Sequence, residues 1–285
     1  MTIFFVNRPV LKNVKRCRKA IHLKHLISFC IQKYQGTGND FIMIDNLSGD
    51  YSFFGIQHVQ QLCDRRYGIG ADGLILIQSH PTLDFEADYY NSDGSKSFCG
   101  NGARCAVHFF ARNLANQREF KFMAIDGIHS ARIIANEVIL EMSSVESIEK
   151  YSNAFVLNTG SPHYVEYVDD LLTLDVLRLG REIRYSDDFS EVGINVNFVK
   201  KNYPKHISIR TYERGVEDET LSCGTGATAC ALVEGKAFSE GNHSVCVDVL
   251  GGQLHVSFIR HEDGSFSDVT LQGPATFVFE GEINV

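Results

Sequence analysis

Two short runs in this sequence repeat one another and carry reactive side chains: Cys99-Gly100-Asn101-Gly102-Ala103 and Cys223-Gly224-Thr225-Gly226-Ala227. Each cysteine precedes a helical pattern, which puts its thiol at a helix N-terminus. The first N–H groups of a helix lack internal partners and carry the positive end of its dipole. They favour a thiolate and so pull the thiol below its ordinary pKa of about 8.5. The glycines let backbone pass close to a ligand, and the free N–H groups suit a carboxylate. Each run therefore predicts a reactive thiol beside an anion-binding turn. An isolated cysteine is most often a small buried hydrophobe, and Cys63, Cys105, Cys230 and Cys246 are read that way.

The repetition extends beyond the two runs. Thr37-Gly38-Asn39 matches Thr159-Gly160-Ser161 at an offset of 122, and Gly68-Ile69 matches Gly193-Ile194 at 125. Tyr90-Asn91 matches Tyr212-Glu213 at 122, and the cysteine runs match at 124. Four matches in one order at nearly one offset imply two homologous domains. Two thiols from related domains would face each other across a cleft. A substrate between them can lose a proton to one face and regain it on the other, which is a two-base racemase or epimerase. One cysteine must then be thiolate while its partner is thiol, so the pair titrates as a unit.

The elements that position these residues follow from period and turn chemistry. Phe29–Gln32 and Phe41–Ile44 read as strands flanking a Gly-Thr-Gly-Asn-Asp turn, and Leu74–Ile77 as a buried strand. Residues 58–66 and 103–114 have helical spacing, and Arg132–Ile134 with Val138–Glu141 reads as a hairpin. In the second half, Phe155–Leu157, Tyr164–Val168, Asn195–Val199 and Ile207–Tyr212 are strands. Residues 175–184 and 227–235 are helices. Val245–Val249 and Leu254–Phe258 form a hairpin around Gly251-Gly252, and 276–285 is strand-like. Strands outnumber helices, so the class is mixed α/β.

Composition sets the outer bounds. The 285 residues are 44% hydrophobic and 22% charged, as in ordinary globular proteins. No apolar run reaches the roughly 18–20 residues of a membrane span. The net charge of −8 argues against a bulk-charge nucleic-acid binder. That total hides an asymmetry: residues 1–33 hold eight of the 27 basic side chains and none of the 35 acidic ones. Such a leader suits a targeting peptide, a nucleic-acid or membrane-touching arm, or an extension outside the fold; the last reading is adopted for 1–33. No two of the eight cysteines are three apart, so zinc-ribbon and thioredoxin spacings are absent. Reduced, cytoplasmic thiols are the expectation.

With those residues in view, the chain resembles the diaminopimelate epimerases. The resemblance rests on YQGTGNDFIMID (34–45), RRYGIGADGLILI (65–77), YNSDGSKSFCGNGARCAVHF (90–109), NTGSPHYV (158–165), INVNFV (194–199) and ERGVEDETLSCGTGATACA (213–231). It implies two similar α/β (α+β) domains, each a mostly antiparallel sheet wrapped around a central helix. The first would span 34–150, joined by a C-terminal strand 272–285, and the second 151–271. It also implies cofactor-independent, metal-free interconversion of LL- and meso-2,6-diaminopimelate, a precursor of lysine and peptidoglycan, by a cytoplasmic homodimer. Cys99 and Cys223 match the two catalytic thiols, the first usually assigned as donor and the second as acceptor. His163 and Glu213 match residues that tune them. Asn39, Asn91 and Asn195 match substrate-binding asparagines, Gly100-Asn101 and Gly224-Thr225 the carboxylate-holding turns, and Glu213-Arg214 the pair that grips the substrate. Two positions depart from the family pattern. Ser161 stands where an Asn is usual, and Gly73 where some members have a Gln, which puts contacts at the substrate's far end in question.

Two alternatives stay open at this point. One is a proline or hydroxyproline racemase type on the same fold, although its thiol motifs differ. The other is a non-catalytic binding protein on this scaffold, for which two thiols would have no use.

Overall fold

Ser28–Gly36 buries Phe29, Ile31 and Lys33 in alternation, the two-residue period of a strand with one face on a core. The computed structural model describes residues 4–5, 28–51 and 53–284. Phe4–Phe5 pairs antiparallel with the tail, Phe4 opposite Glu282 and Phe5 opposite Gly281, and the first long strand begins at Ser28. The extension assigned to 1–33 therefore does not lie wholly outside the fold and ends at least six residues too late. Residues 28–33 form a strand because Phe29 and Ile31 bring apolar cover to the core despite their basic surroundings. Residues 1–3 and 6–27 of that extension lie outside the described residues.

From Ser28–Gly36 the sheet passes through Asn39–Asn46, Gly73–Gln78, Phe85–Asn91, Glu119–Ala124, Gly127–Ile134 and Glu137–Glu141. Its second half runs through Ala154–Asn158, Pro162–Tyr167, Asn195–Tyr203, His206–Glu213, Gly241–Val249, Gly252–Arg260 and Phe266–Pro274. Pairings are mostly antiparallel, and the parallel ones fall at equivalent places in both halves. The halves join where Phe266–Pro274 pairs with Glu137–Glu141, with Leu271 opposite Leu140. The tail, Thr276–Asn284, then pairs back onto Ser28–Gly36.

The ladders fix the repeat's register. Phe41 lies opposite Gly73 as His163 lies opposite Asn195, and Leu74 opposite Tyr90 as Val196 opposite Tyr212. Each residue and its counterpart differ by 122. The match of Gly68-Ile69 to Gly193-Ile194 at 125 is therefore out of register, and Gly73 is the counterpart of Asn195. The hairpin turn is also displaced by one residue: Val249 pairs with Gly252, which leaves Leu250-Gly251 as the loop.

Among the described residues, four helices pack against the sheet: α1 (Ile56–Cys63), α2 (Gly100–Asn113), α3 (Val176–Arg184) and α4 (Gly224–Gly235). Helix α4 (GTGATACALVEG) is buried on nearly every side, and α2 is buried from Gly100 to Val107. Small residues let the sheet close around them, and a helix without a polar face belongs inside. Val245, Val256 and Leu271 pack on α4, and Phe41, Ile75 and Phe122 on α2. Among the described residues no helix is long and apolar enough to cross a membrane.

The two central helices meet at their N-termini. A Cβ at Gly224 would sit 3.8 Å from Gly100 Cα and 2.9 Å from Leu271 Cδ2. Across this seam Asn101 Nδ2 donates to the Ser222 carbonyl at 2.9 Å, and Thr37 Oγ1 donates to Ser222 Oγ at 2.7 Å. The fully buried Arg104 donates through Nη2 to Asn101 Oδ1 at 2.9 Å and to Thr37 Oγ1 at 3.3 Å. Close packing also brings the Leu250-Gly251 loop onto the Thr37-Gly38 turn, where a Cβ at Gly251 would lie 1.8 Å from the Thr37 carbonyl oxygen. Gly251→Ala is expected to cost about 2–4 kcal/mol in denaturant unfolding, because backbone must move. Gly55→Ala, where a Cβ meets nothing within 4 Å, is expected to stay within about 0.5 kcal/mol.

Candidate active site

Cys99 is the N-cap of α2, and Cys223 is the N-cap of α4. The Gly102 N–H donates to Cys99 Sγ at 3.4 Å, and the thiol reaches Asn39 Oδ1 at 3.5 Å. Cys223 Sγ lies 3.5 Å from Thr225 Oγ1. Both thiols are free, as are Cys63, Cys105, Cys230 and Cys246; Cys30 departs from the reduced expectation and is disulfide-bonded.

The expected fall in thiol pKa does not occur. Burial pushes Cys99 up to about 11, against the Gly102 and Asn101 N–H groups that pull it down, and the Glu213 charge raises it further. Burial and then Glu213 push Cys223 up as well, against Thr225 and the Gly226 N–H. The magnitudes explain the sign. A helix terminus supplies about 0.3–2 kcal/mol, at most about 1.5 pKa units, whereas burial can shift a group by roughly 3–5 units. Desolvation wins, and both sulfurs rest as thiols.

Glu213 is the residue they share. It accepts from Thr220 Oγ1 at 3.0 Å and takes a hydrogen bond from Cys223; burial pushes its own carboxyl up. Its counterpart Asn91 donates instead to Ser95 Oγ at 2.9 Å and Ser97 Oγ at 3.2 Å. Asn91 thus lines the first domain without a hydrogen bond to its thiol.

The remaining matched residues fall into two groups. Ser161, Asn195 and Arg214 form one: Asn195 Nδ2 donates to Ser161 Oγ at 2.9 Å, and Asn195 Oδ1 accepts from the Arg214 N–H at 2.9 Å. Arg214 Nη2 reaches Ser161 Oγ at 3.4 Å, and Nη1 donates to the Val192 carbonyl at 2.9 Å. Ser161 therefore orients its neighbours, which is how a short side chain serves at that position. Gly193 keeps the place open, since a Cβ there would lie 2.6 Å from Arg214 Cδ. The other group surrounds Asn39, whose Nδ2 donates to Asp72 Oδ2 at 2.6 Å and whose Oδ1 accepts from Asn101 Nδ2 at 3.3 Å. The Asn101 side chain is committed to the seam, while the Asn101 and Gly102 N–H groups face the Cys99 sulfur. Thr225 is fixed likewise, its carbonyl accepting from Thr159 Oγ1 at 2.9 Å.

His163 is fully buried, and burial, helped by the Arg214 charge, pushes it down to about 3. It is a neutral imidazole at any working pH.

Sequence reasoning missed several supporting residues. Arg65 bridges Asp40 and Asp72 at 2.7 Å each, and Lys33 pairs with Asp40 at 2.8 Å. Burial works to raise Asp40, but Arg65 and Lys33 prevail and hold it at about 2. Asp72 thereby becomes a fixed acceptor for Asn39. Its place next to Gly73, in register with Ile194, was the available signal. Tyr89 fills the space beside Gly73, where a Cβ would lie 2.4 Å from Tyr89 Cε2, so no side chain fits there. Elsewhere, His206, Cys246 and Asp248 approach within 4.8 Å of one another. There His206 Nε2 pairs with Asp248 at 2.6 Å.

The family model for diaminopimelate epimerase matches residues 31–147 and 155–278. The chain belongs to the diaminopimelate epimerase family. It is 49% identical over 255 residues to the diaminopimelate epimerase of Flavobacterium psychrophilum, covering 89% of this chain and 99% of the relative. It is 38% identical over 274 residues to that of Aquifex aeolicus, covering 88% of this chain and 96% of the relative. Among solved structures, a Bacillus anthracis PhzF-family phenazine biosynthesis protein aligns at a TM-score of 0.72 and 13% identity, covering 90% of this chain and 99% of that one. A hydroxyproline epimerase from Agrobacterium vitis aligns at 0.61 and 12%, covering 90% and 91%. Those two likenesses establish the fold that diaminopimelate epimerases share with them.

Because Glu213 raises both thiols, Glu213→Gln is expected to lower their pKa values. Iodoacetamide labelling at pH 8, read by peptide mapping, should then speed up about three- to tenfold at Cys99. An unchanged rate would separate Glu213 from the thiols.

Proposed function

We propose that this chain interconverts LL- and meso-2,6-diaminopimelate through two thiols, Cys99 and Cys223. The observation that carries the reading is a pair of free cysteines capping two helices whose N-termini abut, with one half-buried carboxylate, Glu213, beside them. A 49% identical diaminopimelate epimerase supports the substrate.

The chemistry follows from the arrangement. Glu213, hydrogen-bonded to Cys223 and raised by burial above the ordinary carboxylate value, accepts the Cys223 proton and leaves a thiolate. The thiolate takes the Cα proton: the C–H bond breaks, an S–H bond forms, and the electron pair moves onto the substrate carboxylate. The first N–H groups of α2 and α4 hold that carboxylate where charge develops. Cys99 then gives its proton to the opposite face, becoming the thiolate, and the reverse reaction exchanges the two roles. Arg214, steadied by Asn195 and Ser161, grips the far carboxylate with its fork of donors. Asn39 and Asn91 line the first-domain side. No step calls for a metal or an organic cofactor.

The same reading divides the chain into a first domain from Ser28 to about 148, completed by Thr276–Asn284, and a second from about 149 to Pro274. A homodimer in the cytoplasm accompanies it, on the resemblance to the family. The acidic surface disfavours nucleic acid as a partner.

Cys99→Ala and Cys223→Ala are each expected to lower epimerisation at least ~10³-fold with the fold retained by circular dichroism; full turnover by either would sink the two-thiol reading. Arg214→Lys keeps the charge but loses the fork, and KM is expected to rise by roughly tenfold or more.

A further inference from the structure

The two domains put opposite materials beneath their thiols. In the register of 122, Phe41, Ile75 and Tyr89 of the first domain correspond to His163, Asn197 and Thr211 of the second. Under α2 the floor is carbon and ring: a Cβ at Gly102 would meet Ile75 Cδ1 at 3.2 Å, Phe41 Cε1 at 3.4 Å and Cys99 Cβ at 3.5 Å. Under α4 it is polar: a Cβ at Gly226 would meet Asn197 Oδ1 at 2.5 Å and Cys223 Sγ at 3.3 Å. Asn197 is wholly buried, and Thr211 nearly so. A buried amide in the place of an isoleucine is costly unless every group is used.

Its groups are used, and they fix its orientation. The Tyr164 carbonyl, which can only accept, lies 2.9 Å from Asn197 Nδ2, and Thr211 Oγ1 donates to Oδ1 at 3.0 Å. The NH2 end is thereby identified, and its second proton goes to His163 Nδ1, 3.1 Å away, in preference to the Asn195 carbonyl at 3.5 Å. An NH2 group only donates, so Nδ1 must be the bare nitrogen and Nε2 must carry the proton. Among the described residues, Nε2 has no protein partner, although His163 is fully buried.

We propose that Asn197, backed by Thr211, is a positioning residue that locks His163 as a neutral Nε2–H donor at the Cys223 end of the site. This rests on the two-thiol reading for its catalytic consequence, but not for the tautomer itself. The lock sets a fixed, neutral N–H dipole where the first domain has the Phe41 ring, so the floors beneath the two thiols become chemically distinct. Free rotation of the amide, or an acceptor in its place, would let the imidazole present a lone pair instead of a proton.

Asn197→Asp tests this with almost no change of shape. A carboxylate accepts from Nδ1–H and so should move the imidazole proton from Nε2 to Nδ1. Long-range ¹H–¹⁵N spectra of histidine-labelled protein read the tautomer, with His163 assigned by comparison with His163→Gln. The expected wild-type signature is a protonated Nε2 and a bare Nδ1, reversed in Asn197→Asp. With the reversal, kcat for diaminopimelate is expected to fall by ~10-fold or more while KM stays within about threefold. Thr211→Val removes only the supporting donor and should lower kcat ~3-fold or more, again at constant KM. A wild-type Nδ1–H tautomer would overturn the proposal, as would a reversed tautomer with undiminished kcat. The wild-type spectrum decides the tautomer even where a variant does not fold, and it does so without substrate.

Discussion

Everything in the site depends on two helix N-termini held nose to nose. Each carries roughly half a positive charge, and at the ~4 Å approach of Gly100 and Gly224 the mutual repulsion is on the order of 1 kcal/mol. Buried Arg104 adds another positive group next to them. The structure meets this cost with a strand ladder across the domain seam and with the Asn101 and Thr37 hydrogen bonds to Ser222. What results is a small region where a carboxylate, or the negative charge of a proton abstraction, is favoured from both sides. In a strongly acidic protein this local field is what can capture a dicarboxylate, because the net charge of −8 has the wrong sign.

Burial makes that field effective and also opposes it. Excluding water strengthens every dipole aimed at the reacting carbon, but it also raises both thiols and Glu213. The resting state is therefore neutral at sulfur. Proton movement is kept inside a group of three closely placed acids, Cys99, Cys223 and Glu213, whose affinities are pushed in the same direction. The frame is symmetric and its furnishings are not. Asn39 is held by a chain of charges through Asp72, Arg65 and Asp40, whereas its counterpart Ser161 works with Asn195 and Arg214. A substrate with a reacting end and a distal end meets a different surface at each.

The cysteine caps, the two central helices and most strands were legible from sequence, because turn glycines and local periodicity specify them. The seam strand Phe266–Pro274 was not: its partner Glu137–Glu141 lies far along the chain, and its alternation is interrupted at Ser267-Asp268, between Phe266 and Val269. Phe29–Gln32 was legible as a strand, yet its setting among basic residues placed it with the leader. The direction of the thiol shifts was misjudged because local sequence reveals the helix terminus but not the depth of burial. Asn197 escaped notice since His163, Asn197 and Thr211 meet only after folding. The exact register of 122, supplied by the ladders, is what lines them up against Phe41, Ile75 and Tyr89.

The central claim is that each thiol serves one face of the substrate carbon. Its most direct test is the early time course in D₂O, begun separately from LL- and from meso-diaminopimelate. Circular dichroism follows the epimers, and mass spectrometry reads Cα deuterium in substrate and product. Two thiols require every product molecule to carry solvent deuterium while unreacted substrate stays protonated, with a transient overshoot of the optical signal from both starting epimers. Deuterium entering the remaining substrate as fast as the product, with no overshoot, would mean a single base and would contradict the account.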